Sequence, residues 1–176
     1  MTALDTVGTE HLLGERLRPD HLDDLFTMDR DPVVMATLGG LRDEAGTRRW
    51  LAVNLEHWER HGFGLWMFRD RADGRFVGRG GLRHVPVEGR DEIEVAYALV
   101  PAFWGRGLAT EIARLSVETA FRTLELDRIV SFTLPDNRRS RRVMEKAGFA
   151  YERDIVHAKL PHVLYRYSAE HWLATR

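Results

Sequence analysis

The 176-residue sequence contains no cysteine. Disulfides, thiolate nucleophiles and cysteine-based zinc sites are therefore excluded, and the composition is compatible with a reducing cytoplasm. Long hydrophobic runs are missing too. No stretch approaches the ~20 apolar residues of a membrane helix, and the first residues lack the apolar core of a signal peptide. A soluble cytoplasmic protein with no membrane partner is expected. Neither sign of charge is in excess: 26 Lys+Arg stand against 27 Asp+Glu, a formal net charge of −1. A general nucleic-acid binder normally has a strongly basic surface, so nucleic acid is not an expected partner. Repeats, linkers and low-complexity tracts are lacking. The length suits one continuous domain, residues 1–176, which buries roughly 70% of its unfolded surface without staples.

What the sequence does contain is concentrated between Glu92 and Glu111. An alternating strand runs through Pro101 into Trp104-Gly105-Arg106-Gly107-Leu108-Ala109-Thr110, and a long apolar-striped helix follows. Glycine permits positive φ and close approach of the backbone to a ligand. A helix start leaves its first N–H groups unpaired and carries about half a positive charge, so phosphate oxygens suit it. Ala109 keeps the next position small, and Arg106 adds a fixed positive charge. An ordinary glycine turn before a surface helix is the alternative for this pattern alone. The segment lacks the Gly-Lys-Ser/Thr of a P-loop and the third glycine or alanine of the dinucleotide fingerprint.

A second block, Arg128 to Phe149, reads as strand, turn, helix and glycine stop. Asp136 or Asn137 caps its helix, Val143, Met144 and Ala147 give it an apolar side, and Gly148 suits the left-handed position past its end. Arg138, Arg139, Arg141 and Arg142 form a basic cluster, read either as a solvated helix face or as an attractor of phosphates.

Together the two blocks resemble the GNAT superfamily of N-acetyltransferases, matching its acetyl-CoA-binding strand, loop and helix and its later Asn-x-x-Ser helix ending in Gly-Phe. Glu94-Val95-Ala96-Tyr97 ahead of Trp104-Gly105-Arg106-Gly107-Leu108-Ala109-Thr110-Glu111, with Glu10-His11-Leu12 through Arg16-Leu17-Arg18-Pro19, is most similar to the branch that includes the ribosomal-protein N-terminal acetyltransferases. Trp104 stands where many members carry Gln or Arg. The resemblance implies an acetyl-CoA-dependent enzyme that acetylates a primary amine, either a small molecule or a protein N-terminus. It implies acetyl-CoA as co-substrate and no metal. A homodimer is among the expected assemblies, and a GNAT-shaped acyl-CoA-binding domain with little catalysis is the alternative function.

The same resemblance implies site residues. The pyrophosphate falls to Trp104, Gly105, Arg106, Gly107, Leu108, Ala109 and Thr110, helped by Arg142. Backbone groups of Leu99 and Val100 bond the pantetheine arm where this strand splays from its neighbour at a bulge, and Asn137 hydrogen-bonds the same arm. Ser140 protonates or solvates the departing thiolate, with a helix-capping role as its alternative. Alternation places Glu94, Ala96 and Ala98 on one strand face and Val95, Tyr97 and Leu99 on the other. Glu94 is the candidate base, directly or through water, with Glu92 in reserve. The amine sets how much help is needed: at pH 7, deprotonation costs roughly 1 kcal/mol for an α-amine and nearly 5 for a lysine amine.

The remaining pattern predicts a mixed, mostly antiparallel sheet with helices on both faces, an α+β arrangement. Strands are expected over 11–18, 64–68, 76–85, 92–99, 128–133, 150–157 and 162–168. Helices are expected over 19–28, 43–61, 105–124, 137–147 and the 169–175 tail. Trp50, Leu51, Asn54, Leu55 and Trp58 recur at helical spacing and read as core. His57 and His61, four apart on a helix, lack the adjacent Glu of a zinc-protease signature and do not by themselves point to a metal. His157 and His162 flank a turn that the resemblance places near the acceptor, and they read as a surface turn with substrate contact as the alternative.

Overall fold

The structure, a computed structural model, describes residues 4–176. Its eight strands form one sheet in the order β1-β2-β3-β4-β5-β6-β8-β7. In chain order the elements are β1 (Thr6–Gly8), β2 (Leu12–Arg16), α1 (Leu22–Asp29), α2 (Pro32–Met35), α3 (Glu44–His61), β3 (Leu65–Asp70), β4 (Phe76–Val87), β5 (Arg90–Leu99), α4 (Leu108–Glu118), β6 (Arg128–Thr133), α5 (Arg138–Ala147), β7 (Ala150–His157), β8 (Leu160–Ser168) and α6 (Ala169–Ala174). Every neighbouring pair is antiparallel except β5 and β6. This is the expected α+β mixed sheet. No helix among the described residues is long and apolar enough to cross a membrane.

Local chemistry sets the boundaries. Asp43 caps α3 by accepting from Gly46 N–H, and Gly62 ends it in the left-handed region at φ 72°. The β3–β4 turn carries Asp73-Gly74, with Gly74 in the left-handed region at φ 73°. Two expectations are corrected, and one point of topology comes from the structure alone. The short strand β1 precedes β2 and pairs with it. The expected helix over 105–124 is regular only from Leu108 to Glu118; it opens after Gly107, whose φ of 79° no helix allows, and closes in a wide turn where Leu124 N–H reaches Thr119 C=O at 3.0 Å. Finally, β8 lies between β6 and β7, so the last hairpin folds back before joining the sheet.

Two apolar layers hold this arrangement. On one face, α4 and α5 bury Ala113, Val117, Met144 and Ala147 against Val95, Ile129 and Tyr165. On the other, α1 and α2 place Met28, Val34 and Met35 against Ala98. Each fully buried Leu, Ile, Val or Met side chain contributes ~1.5–3 kcal/mol. The alternation expected of β5 is observed: Val95 packs under α4, while Ala98 faces α1 and α2. Trp58 and Leu51 are core as expected, but Trp50 leaves the core and lines the cleft described next.

Candidate active site

The parallel pair β5 and β6 meets at one register point, Glu94 opposite Val130. Ser131 Oγ–H ties the strands by donating to Val95 C=O at 2.9 Å. Past that point toward Leu99 they part, and a cleft of about 1350 Å³ opens between α2, α4 and α5. The splay is as expected, but the expected bulge is not its source. The β4–β5 ladder runs unbroken from Gly78–Leu99 to Val87–Arg90, and the irregularity on this side of the sheet lies at Phe68/Arg69 between β3 and β4.

At one end of the cleft Gly105 and Gly107 both have positive φ, 74° and 79°. Among the described residues no side chain caps α4, so the Leu108 and Ala109 N–H groups remain for a ligand, while Thr110 N–H donates to Gly107 C=O at 3.1 Å. Gly105, Gly107, Leu108, Ala109 and Thr110 all line the cleft. Arg106 is set differently: its guanidinium turns to Asp70 at 3.5 Å and lies over the Phe103 ring, and it is not among the lining residues. Trp104 is held by its indole N–H, which donates to Leu99 C=O at 2.7 Å, and the Arg139 guanidinium lies 5.2 Å over its ring. The loop and α5 thus meet across the cleft. The basic cluster divides. Arg138, Arg139 and Arg142 line the opening, whereas Arg141 bonds Tyr165 Oη and Pro135 C=O and is structural.

In the middle, Val100 N–H is committed to Val77 C=O at 2.9 Å, which by ladder alternation leaves the Leu99 N–H facing the cleft. The Leu99 carbonyl is already taken by Trp104. Asn137 works at both ends for the fold: Oδ1 accepts from Ser140 N–H at 3.2 Å and Nδ2 donates to Thr133 Oγ1 at 2.9 Å. That frees Ser140 from the capping role. Its hydroxyl instead lies 3.0 Å from the Tyr97 hydroxyl, which also bonds the Ser140 carbonyl. Burial pushes the Tyr97 phenol well above its usual range, so it stays protonated. Tyr97 was not singled out in the sequence, because strand alternation gives no hint that α5 crosses over it.

At the other end Glu94 is buried, and its Oε2 accepts from Arg83 Nε at 2.8 Å. Its reserve, Glu92, lies two residues back on the same strand face but does not line the cleft, and is gripped by Arg166 at 2.9 and 3.1 Å. Arg79, Trp50, His157 and His162 complete this lobe. His157 and His162 are therefore cleft residues rather than a bare surface turn, and burial lowers the His157 imidazole pKa. The sequence signal for the arginines was parity: Arg79 pairs with Ala98 and Arg83 with Glu94, so both share the small-residue face.

Outside the cleft, His84 joins His57 and His61, with ring nitrogens within 4.8 Å of one another. Both His57 nitrogens serve the fold: Nδ1 contacts Phe63 C=O at 2.9 Å, and Nε2 accepts from His84 N–H at 3.0 Å. This leaves His61 and His84 as the members with a ring nitrogen to offer.

Residues 11–150 match the Acetyltransferase (GNAT) domain family. The chain belongs to that family and is an acetyl-CoA-using acyltransferase of the GNAT fold. It is 32% identical to the uncharacterised Bacillus subtilis protein YkkB over 125 residues, 71% of this chain and 73% of that protein. It is also 32% identical, over 163 residues, to the FsC-acetyl coenzyme A-N(2)-transacetylase of Aspergillus fumigatus, covering 85% of this chain and 66% of that longer protein. Among solved structures, an acetyltransferase from Agrobacterium tumefaciens superposes with a TM-score of 0.82 at 27% identity, covering 95% of this chain and 96% of the other. A ribosomal-protein-S5-alanine acetyltransferase from Vibrio fischeri shares the fold at a TM-score of 0.74 and 17% identity, over 95% of this chain and 98% of its own. That likeness bears on fold alone.

Proposed function

We propose that the protein transfers the acetyl group of acetyl-CoA to a primary amine, on a small molecule or a protein N-terminus, by direct attack. The observation that carries this reading is the meeting of three features in one cleft: the uncapped start of α4, the splayed edge of β5, and the lining groups Glu94 and Ser140. In this reading the N–H groups of Gly107, Leu108 and Ala109 hold the pyrophosphate, with Gly105 leaving room, Thr110 lining the cleft beside them and Arg138, Arg139 and Arg142 adding charge. The pantetheine arm lies along β5, where the Leu99 N–H is available to the arm or to the thioester carbonyl.

The amine enters from the Glu94 lobe. Glu94 Oε2 is held by Arg83, and Oε1 is the oxygen left to take a proton from the amine, directly or through water. As the intermediate collapses, Ser140 Oγ–H donates to the leaving thiolate, and Tyr97 O–H turns toward Ser140 Oγ to support it.

The test is thiol release from acetyl-CoA across a panel of peptide, amino-acid, polyamine and aminoglycoside amines, set beside calorimetric CoA binding. Amine-dependent release supports the enzyme. Tight CoA binding without release on any amine would instead leave an acyl-CoA-binding domain.

A further inference from the structure

Three arginines reach the acceptor lobe, and only two have carboxylate partners. Arg83 is paired with Glu94 at 2.8 Å, and Arg42 with Asp29 at 3.1 Å. Arg79 is 5% exposed, and among the described residues its guanidinium makes no hydrogen bond or ion pair. Its contact is with the face of Trp50, 4.2 Å from the ring centre. A ring face compensates a desolvated cation only in part, and buried charges are normally paired and hydrogen-bonded. Burial and the neighbouring Arg83 push the Arg79 pKa down to about 9, which still leaves it charged at neutral pH.

Its placement is specific. Arg79 stands opposite Ala98 and Arg83 opposite Glu94, so the two lie four residues apart on the same face of β4, ~13 Å along the sheet. Between them the β5 face is floored by Ala96 and Ala98, which leave room for a small molecule. One end of this trough offers a carboxylate held by an arginine, and the other an unpaired cation.

We propose that Arg79 is a carboxylate-binding residue, and that the acceptor is an amine carrying its own carboxylate rather than a polycation. The assignment rests on the amine-acetylation reading for its consequence, because it names the class of amine. Arginine suits the task, since its planar fork matches a carboxylate in two-point contact. A polycationic acceptor would meet the uncompensated charge and be repelled.

The experiment uses straight-chain ω-amino carboxylates of two to six carbons, each beside its own carboxamide. Binding to the CoA-loaded protein is measured by calorimetry and turnover by thiol release. The wild-type protein is expected to prefer at least one carboxylate over its amide by about ten-fold or more, the scale of a buried charge-assisted bond. Arg79→Met should bring the pair to near equality, and Arg79→Lys should recover part of the preference. Equal affinities at every length, or a preference that survives in Arg79→Met, would overturn the proposal. If Arg79→Met does not fold, the wild-type and Arg79→Lys comparisons decide.

A second arm replaces acetyl-CoA with succinyl-CoA. A loss in Arg79→Met confined to succinyl transfer would assign the carboxylate to the acyl group and overturn the acceptor class. Carboxylate preference in binding without thiol release would defeat the acetyl-transfer reading while sparing Arg79. Release without preference would do the reverse.

Discussion

The Tyr97 hydroxyl lies 3.0 Å from Ser140 Oγ, joining β5 to the first turn of α5 across 43 residues of sequence. The pair places a serine hydroxyl and a phenol kept protonated by burial beside the proposed path of the leaving thiolate. Ser140→Ala is expected to lower kcat by about a hundred-fold, the lower range for a general acid, with a smaller change in CoA affinity. Tyr97→Phe keeps the buried ring and removes the hydroxyl's contacts with Ser140 Oγ and Ser140 C=O, so its kcat should fall about ten-fold. Steady-state kinetics on acetyl-CoA separate the two effects. A Ser140→Ala enzyme with unchanged kcat would remove the thiolate role.

The division of the arginine cluster predicts opposite behaviour from adjacent residues. Arg139→Ala and Arg142→Ala should each weaken CoA binding several-fold at low salt and flatten its salt dependence, because they act on phosphates through water-exposed charge. Arg141→Ala should leave CoA affinity unchanged. It loses bonds to Tyr165 Oη at 3.1 Å and Pro135 C=O at 2.9 Å, and should lower the urea midpoint slightly. Calorimetry and urea unfolding of the three variants give the contrast.

Gly107 combines φ of 79° with open space where a side chain would begin. Valine there faces backbone strain of ~1–3 kcal/mol and projects a branched group from the loop that opens α4. Gly107→Val should remain folded, with a thermal midpoint lowered by a few degrees, and lose CoA affinity by at least ten-fold. Unchanged affinity would contradict the phosphate cradle.

His57 makes stability depend on pH. Burial, reinforced by His61, lowers its pKa to about 4 from an unfolded value of 6.5. As pH falls below 6.5 the unfolded chain takes the proton first, so the folded state loses stability between pH 6.5 and about 4 and has it in full above pH 6.5. From pH 7 to 5 the bare shift corresponds to ~2 kcal/mol, reduced by solvent screening of this half-buried ring to ~1. Urea unfolding at the two pH values should show that loss in the wild type and less of it in His57→Gln. Equal losses would assign the acid sensitivity to other groups.

How much was legible in the sequence depended on how local the signal was. Asn137 and Gly148, which bound α5, were readable because capping is settled within three or four residues. The phosphate end was equally local, since Gly105 and Gly107 sit in the loop that they shape. Arg106 shows the limit: its charge was plain, but its turn toward Asp70 depends on a strand 36 positions earlier in the chain. The acceptor lobe was least legible. Arg79, Trp50 and Glu94 come from β4, α3 and β5, and only the sheet register brings them together. Trp50 had the same helical spacing as Trp58, and which tryptophan faced the core was decided by the packing of α3 on the sheet.

The central claim is acetyl transfer to an amine in this cleft, and its most direct test is product stoichiometry with wild type and Glu94→Gln. The amide retains an oxygen for Arg83 but takes up no proton, so the fold should persist while kcat/KM falls by a hundred-fold or more. The wild type should release one CoA thiol for each N-acetylated amine found by mass spectrometry. Thiol release without an acetylated amine, or a Glu94→Gln enzyme as active as wild type at neutral pH, would contradict the account.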